Sequence, residues 1–308
     1  MNEPWVECVP NLSEGRDASR IDALEHAIST VPGTFVLHRT SDTDHNRTVI
    51  TFAARSKTVV EAAVRLAAEA AKLIDLNHHR GVHPRLGALD ILPFVPLGGA
   101  TLEQCVALAH QAGARIWDEL GIPVYFYEAA ALRADRMRLE NVRRGQFEGL
   151  STAGAMDESK RPDLGGPLLH ATAGAVIVGA RKILVAFNIN LKSTDLNLAK
   201  SIAKRIRASN GGFPAVKALG LPLASRGLVQ VSMNFTDFEQ TPVHVVYSEV
   251  CRLAAEHGVE VEESELIGLI PQQALAQATP GMLKISHFDS QRVLEHRIET
   301  VTSACRIS

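Results

Sequence analysis

The chain has 308 residues, of which 46% are apolar and 21% charged, and a formal net charge of -2. That length fits one large domain or two mid-sized ones, and the composition excludes a disordered chain. The charge favours neither nucleic acid nor an anionic membrane. No run reaches the ~20 apolar residues of a membrane span, and Met1-Asn2-Glu3-Pro4-Trp5 is not a secretion signal.

In chain order, an apolar strand begins over Glu7–Pro10, after Trp5-Val6, and Asn11 to Gly15 turns the chain. Ile21, Leu24, Ile28 and Val31 recur at helical spacing, and Pro32-Gly33 stops that helix. Thr34–Arg39 reads as a strand, Ser41–Arg47 as a polar loop and Thr48–Ala53 as a second strand. Thr58–Leu76 is an alanine-rich helix with Val59, Val60, Ala63, Leu66, Ala67 and Leu73 towards the core. Ala88–Pro96 is apolar enough for a central strand. A helix over Thr101–Leu120 and a strand over Pro123–Tyr127 follow. Arg133, Arg136, Arg138, Arg143 and Arg144 cluster on a further helix, and Asp157–Pro162 reads as loop. The second half repeats the order: strand Ile183–Leu191, helix Leu196–Arg207, strands Ala215–Leu219 and Leu228–Asn234, helix Pro242–His257 and strand Val259–Ile267. Short helices are expected over Pro271–Ala278 and around Leu294 and Ile298. The fold class is therefore α+β. Each half follows β-α-β-β-α-β, the pattern of two ferredoxin-like subdomains in a duplicated α/β sandwich, with the boundary near residue 180 (1–180 and 181–308).

Cys8, Cys105, Cys251 and Cys305 have neither metal nor redox spacing, so a reducing cytoplasm is the expected location. The most distinctive stretch is Asn77–Asp90, which packs His78, His79, His83, Arg80 and Arg85 between a helix and a strand. A connection of that length is more often functional than a short one. Pro84 fixes its own φ and biases His83 towards an extended backbone, while Gly81 and Gly87 allow sharp reversals. Three readings stand for the histidines. A zinc site lacks a carboxylate or cysteine to complete it. A structural loop histidine is the plain alternative. In the third, His83 is a general base kept neutral by the nearby cations Arg80 and Arg85, with His78 and His79 solvated. Arg47, Arg80, Arg85 and Arg181 stand on polar connections and suit a multiply carboxylated small molecule. Asn188 and Asn190 share one face of a strand. Gly165-Gly166-Pro167-Leu168-Leu169-His170-Ala171-Thr172-Ala173-Gly174 is not a phosphate loop. It reads equally as an interdomain linker or as a backbone-rich wall for a flat ligand.

Several blocks resemble glutamate formimidoyltransferase, with the formiminotransferase N- and C-terminal subdomains and without the cyclodeaminase domain. They are Glu7–Gly15, His45-Asn46-Arg47-Thr48-Val49, His83-Pro84-Arg85-Leu86-Gly87-Ala88-Leu89-Asp90, Gly179–Leu191 and Ser264–Pro271. The resemblance implies transfer of a formimidoyl group from N-formimidoyl-L-glutamate to tetrahydrofolate in histidine breakdown. It further implies two α/β subdomains with the folate between them, a homodimer, no metal, and a separate cyclodeaminase that takes the product. It makes His83 the catalytic histidine and Gly165–Gly174 the folate-binding segment. Asn46, Arg47, Arg80, Arg85, Arg181, Asn188 and Asn190 are left to bind the substrates. Three positions depart from the pattern. Val82 stands where the family has Glu. Tyr125-Phe126-Tyr127-Glu128-Ala129-Ala130 is one glycine short. Ala171-Thr172-Ala173 replaces a Pro-Ser-Trp that offers an aromatic platform. A formyl-donor variant (5-formyltetrahydrofolate or N-formylglutamate transfer) and a non-catalytic folate-binding paralogue are the alternatives.

Overall fold

The computed structural model describes residues 3–81 and 83–304, so Val82 and Cys305, both singled out above, lie outside the described residues. The chain is α+β and divides into two compact units, Met1–Arg181 and Lys182–Ser308. Arg181 goes with the first because its backbone N–H donates to the carbonyl of Phe94, in a central strand.

The first unit opens with β1 (Trp5–Cys8) and β2 (Asn11–Leu12), one strand interrupted at Pro10, which has no N–H to offer a ladder. Helix α1 (Ala18–Ser29) starts where the Asp17 carboxylate accepts from the N–H groups of Ser19 and Arg20. β3 (Thr34–Asp42) and β4 (Arg47–Arg55) form a hairpin. The expected loop over 41–47 is in fact two strand ends and a tight turn. Asp42 pairs with Arg47 across the ladder, and the Ser41 and Thr48 hydroxyls bond at 2.9 Å. Cross-strand pairs of this kind extend a hairpin beyond its apolar part. Helix α2 (Ser56–Leu73) buries Val59, Val60, Ala63, Leu66 and Ala67 as its periodicity requires. β5 (Leu89–Pro96) follows. Helix α3 (Leu102–Leu120) begins with a capping box between Thr101 and Gln104 and ends on the left-handed Gly121. β6 (Val124–Glu128) closes this part.

β1 and β2 lie between β4 and β5, β3 flanks β4, and all these pairings are antiparallel. Beyond β5 the sheet continues in parallel through β7 (Val176–Ala180) to β6. β7 is not among the expected elements. Its five residues are all buried, as a strand between two neighbours should be. The helices cover one face, where Phe52, Phe94, Leu12, Leu24 and Leu66 are fully buried.

Residues 129–165 do not form the expected arginine-bearing helix. They break into short pieces: α4 (Leu139–Val142), α5 (Gln146–Leu150) and α6 (Ala153–Met156). Positive φ at Gly145 and Gln146 separates α4 from α5. The guanidinium groups are drawn to different carboxylates rather than to one solvated face. Arg136 is buried against Asp163 at 2.5 Å, and Arg143 bonds the buried Asp90.

The second unit contains β8 (Val185–Leu191), α7 (Leu196–Ile206), β9 (Val216–Leu223), β10 (Leu228–Phe235), α8 (Val243–Ala255), β11 (Val261–Ile267) and α9 (Leu294–Ala304). The sheet order is β11-β8-β10-β9, antiparallel throughout. Phe187 and Phe235 are fully buried in its apolar core, each stabilising it by roughly 1.5–3 kcal/mol. The opposite face of the sheet is polar. There Asn190, wholly buried, donates to Glu263 and Glu265 and accepts from Gln230. Residues 272–275 form a short 3-10 turn where a helix over 271–278 was expected. Among the described residues no helix is long and apolar enough to cross a membrane.

Candidate active site

The site gathers around the turn between β3 and β4. Asn46 sits there with φ at 49°, a left-handed conformation that asparagine tolerates. Its side-chain carbonyl accepts from the Gly15 N–H at 2.9 Å, and its amide donates to the Arg80 carbonyl at 3.0 Å. One residue thus holds the loop after β2 and the histidine-rich loop after α2. Glycine permits both approaches. A Cβ on Gly81 would stand 2.2 Å from the His45 carbonyl oxygen, and one on Gly15 2.3 Å from that of Asp42.

The histidine-rich connection runs from Ile74 to Ala88, longer at both ends than its sequence suggested. Its histidines do not converge. His78 is exposed, in keeping with the sequence. His79 is buried, against the expectation that it is solvated. Its Nδ1 accepts from Arg85 Nε at 2.9 Å, so its Nε2 carries the proton and donates to the Asn46 carbonyl, also at 2.9 Å. Burial, helped by the Arg85 charge, holds this ring below the ordinary histidine value. Arg85 itself is buried and bonds Glu148 at 2.6 and 3.0 Å. Of the residues offered to a substrate, Asn46 and Arg85 are therefore engaged within the protein. Both packing roles depend on contacts with distant loops.

His83 is half-buried and faces Arg47, whose Nη1 lies 3.1 Å from His83 Nε2. Guanidinium only donates, so Nε2 is the acceptor and the ring proton sits on Nδ1. Burial, then the charges of Arg47 and Arg143, push the His83 pKa down to about 3. The cations responsible are Arg47 and Arg143, not the sequence neighbours Arg80 and Arg85. Burial and Arg143 likewise bring Arg47 down to about 10. Asp90 holds Arg143 and also accepts from the Leu86 N–H at 2.7 Å. The His45 ring stands beside that of His83, centroids 6.1 Å apart and nearly edge-on.

A small, solvent-open depression lies here, lined by Asn11, Ser13, His45, Arg47, His83 and Asp90 among others. Asn11 Oδ1 and Arg47 Nε are buried without a hydrogen-bond partner in the protein, as is Arg143 Nε. The first is an acceptor and the others are donors, so a ligand carrying both an N–H group and an anionic oxygen matches them. Asn11, His45, Asp90 and Arg143 are not among the site residues that the sequence singles out: His45 falls in a polar loop there, and Arg143 in an arginine cluster expected to face solvent.

The glycine segment lies inside the first unit and is no linker. His170 and Gly174 exchange backbone hydrogen bonds at 2.9 and 3.0 Å. The carbonyls of Ala171, Thr172 and Ala173 accept from Asn77 Nδ2, Leu76 N and Ala88 N, which ties the segment to the histidine-rich connection. Gly174, at φ 71°, is so close that a Cβ would stand 2.1 Å from the Leu86 carbonyl. Leu169 is buried, and Gly166, Pro167 and Leu168 are exposed. Arg80 is exposed, while Arg181 and Asn188 are partly buried. Among the described residues no three His, Cys, Asp or Glu side chains form a group able to hold a metal.

Residues 5–181 match the family described as "Formiminotransferase domain, N-terminal subdomain", and residues 186–299 match "Formiminotransferase domain". A protein named glutamate formimidoyltransferase from Thermoplasma acidophilum is 44% identical over 295 residues, covering 96% of this chain and 97% of that protein. One of the same name from Streptococcus pyogenes serotype M1 is 41% identical, over 95% and 98%. A formimidoyltransferase-cyclodeaminase from Sus scrofa is 43% identical over 279 residues. The match covers 89% of this chain but only 51% of that relative.

Proposed function

The chain belongs to the formiminotransferase family, and on that premise we propose a mechanism for a glutamate formimidoyltransferase in which His83 is the general base. The substrates are N-formimidoyl-L-glutamate and tetrahydrofolate, with tetrahydrofolate as co-substrate. His83 Nε2 takes the N5 proton of tetrahydrofolate as N5 attacks the amidine carbon. General base catalysis of this kind contributes about 10²- to 10⁴-fold. The observation that carries the reading is the His83 ring itself: neutral, with a lone pair on Nε2, at the edge of a depression lined by an unpartnered acceptor and donor.

The other roles follow from chemistry. In the resting site Arg47 donates to the lone pair that the reaction needs. A substrate carboxylate is the stronger acceptor, so its arrival draws Arg47 away and frees Nε2. Asn11 Oδ1 accepts from the amidine nitrogen. Arg80 and Arg181 are the further cations assigned to the carboxylates of the donor and the folate tail. Gly165–Gly174, with Gly166-Pro167-Leu168 open to solvent, is assigned as the folate wall. We read the two β-α-β-β-α-β runs as a duplicated ferredoxin-like sandwich on their shared strand order, and the active form as a cytoplasmic homodimer.

The test is a donor panel of N-formimidoyl-L-glutamate and N-formyl-L-glutamate with tetrahydrofolate, run on the wild type and His83→Gln. Turnover of the formimidoyl donor and its loss in the variant, with folding intact, is the expected result. A His83→Gln protein at the wild-type rate ends the assignment.

A further inference from the structure

The hairpin turn that carries Arg47 to His83 also carries a second imidazole that formimidoyl transfer by His83 does not use. His45 Nδ1 lies 2.9 Å from Asp42 Oδ2. The other oxygen of Asp42 accepts the backbone N–H groups of Asp44 and His45, at 2.9 and 2.8 Å. The carboxylate is therefore fixed by the turn itself. Burial alone would raise the Asp42 pKa, but the hydrogen bonds from His45 outweigh it and hold the carboxyl below its ordinary value. Asp42 stands opposite Arg47 in the β3–β4 register, so one cross-strand pair carries both rings: Asp42 holds His45, and Arg47 reaches His83.

An imidazole whose Nδ1–H is anchored on a carboxylate keeps Nε2 free to exchange a proton. His45 lines the same depression as His83, and its side chain is 49% exposed, open to a ligand there. Transfer between amines needs such a group. The glutamate nitrogen is a poor leaving group until it is protonated, and a base that has just taken the N5 proton must otherwise turn to deliver it.

We propose that His45, oriented by Asp42, is the general acid that protonates the departing glutamate nitrogen. The inference rests on the reading of His83 as base. In the first step the N5 lone pair forms a bond to the amidinium carbon, the C=N pair moves onto the imino nitrogen, and His83 takes the N5 proton. In the second step the lone pair on that nitrogen re-forms C=N and the bond to the glutamate nitrogen breaks, its electron pair going to that nitrogen. That nitrogen takes the Nε2 proton of the His45 imidazolium. His83 ends protonated and His45 neutral, and one proton passed from His83 to His45 restores both.

The experiment compares two donors whose leaving amines differ in basicity. N-formimidoyl-L-glutamate releases a basic amine, and N-formimidoyl-4-aminobenzoate a weakly basic one that hardly needs an acid. His45→Gln is expected to lower kcat with the first by about 10²-fold or more, in the range general acids supply, with KM little changed. The loss with the second donor is expected to be under about tenfold, and Asp42→Asn should show the same preference more weakly. Added imidazole is expected to raise the rate of His45→Ala with the glutamate donor. An equal loss with both donors, a wild-type rate, or no response to imidazole overturns the assignment. Thermal melts confirm that each variant folds. An inactive His83→Gln beside a fully active His45→Gln would reject this inference alone, whereas an active His83→Gln rejects the mechanism beneath it.

Discussion

The Nη1 of Arg47 lies 3.1 Å from Nε2 of His83. A cation aimed at the lone pair of a base does two things: it keeps the ring neutral, and it covers the lone pair until something more basic draws the cation off. His83 is thus prepared and masked by the same neighbour.

This has a consequence for the pH profile. With the His83 pKa brought down to about 3 by burial, Arg47 and Arg143, the acid limb of kcat/KM should fall well below pH 6.5. Replacing Arg47 with Gln removes one cause of the depression, so the limb should move up towards pH 6.5. A limb that stays in place would show that another group titrates there.

The same shift bears on stability. A histidine whose folded pKa is depressed binds fewer protons in the folded than in the unfolded state between that value and about pH 6.5. Its contribution is complete above pH 6.5 and is lost as pH falls towards 3. Urea unfolding at pH 7, 5 and 4 should show the wild type losing more stability than His83→Gln. Parallel losses in the two proteins would contradict the assignment.

Arg143 and Asp90 form a largely buried pair, at 13% and 4% side-chain exposure. Removing one partner from such a pair leaves a charge without compensation, at a cost of about 3–5 kcal/mol. Arg143→Met should therefore destabilise the first unit by that order in chemical denaturation, and Asp90→Asn by less, because its side chain can still bond Leu86. A change within 0.5 kcal/mol, roughly that of an ordinary surface substitution, would mean that water reaches the pair.

Gly81→Ala should separate loop docking from global stability. The added methyl meets the His45 carbonyl at 2.2 Å, so the histidine-rich loop must move off the turn. Overpacking of this kind costs about 1–3 kcal/mol. We expect a folded protein with kcat reduced at least tenfold, a modest figure for misplaced catalytic geometry. Wild-type turnover would show that the loop tolerates the shift.

Asn190 is wholly buried between Glu263, Glu265 and Gln230. Asn190→Ala should destabilise the second unit by about 1 kcal/mol, the scale of lost hydrogen bonds, because Arg226 still pairs with Glu263 and Glu265 and Gln230 still donates to Glu265. If its role is confined to that network, the KM for either substrate stays within twofold. A large rise in KM without loss of stability would return Asn190 to substrate binding.

Much of the fold was legible because apolar periodicity is a local property. Ile21, Leu24 and Ile28 mark α1, and the alternation in Val185–Leu191 marks β8, whatever their neighbours are. β7 was missed because its five residues lie among glycines and read as loop until β5 and β6 are seen on either side. The arginine cluster at 133–144 was misread for a related reason. Sequence shows that the cations are near one another, but not that Asp163 and Asp90 lie within reach of two of them.

At the site the division is sharper. Sequence alone determined that a glycine- and proline-punctuated loop would display His83 between a helix and a central strand, because those residues constrain the backbone locally. Tertiary structure alone decided which charges act on that ring. Arg80 and Arg85 are its neighbours along the chain, yet they point away into backbone carbonyls and Glu148. Arg47 and Arg143 come from a hairpin and a short helical segment distant in sequence. Electrostatic influence falls with distance in space, and only the folding of two loops onto the Asn46 turn sets that distance.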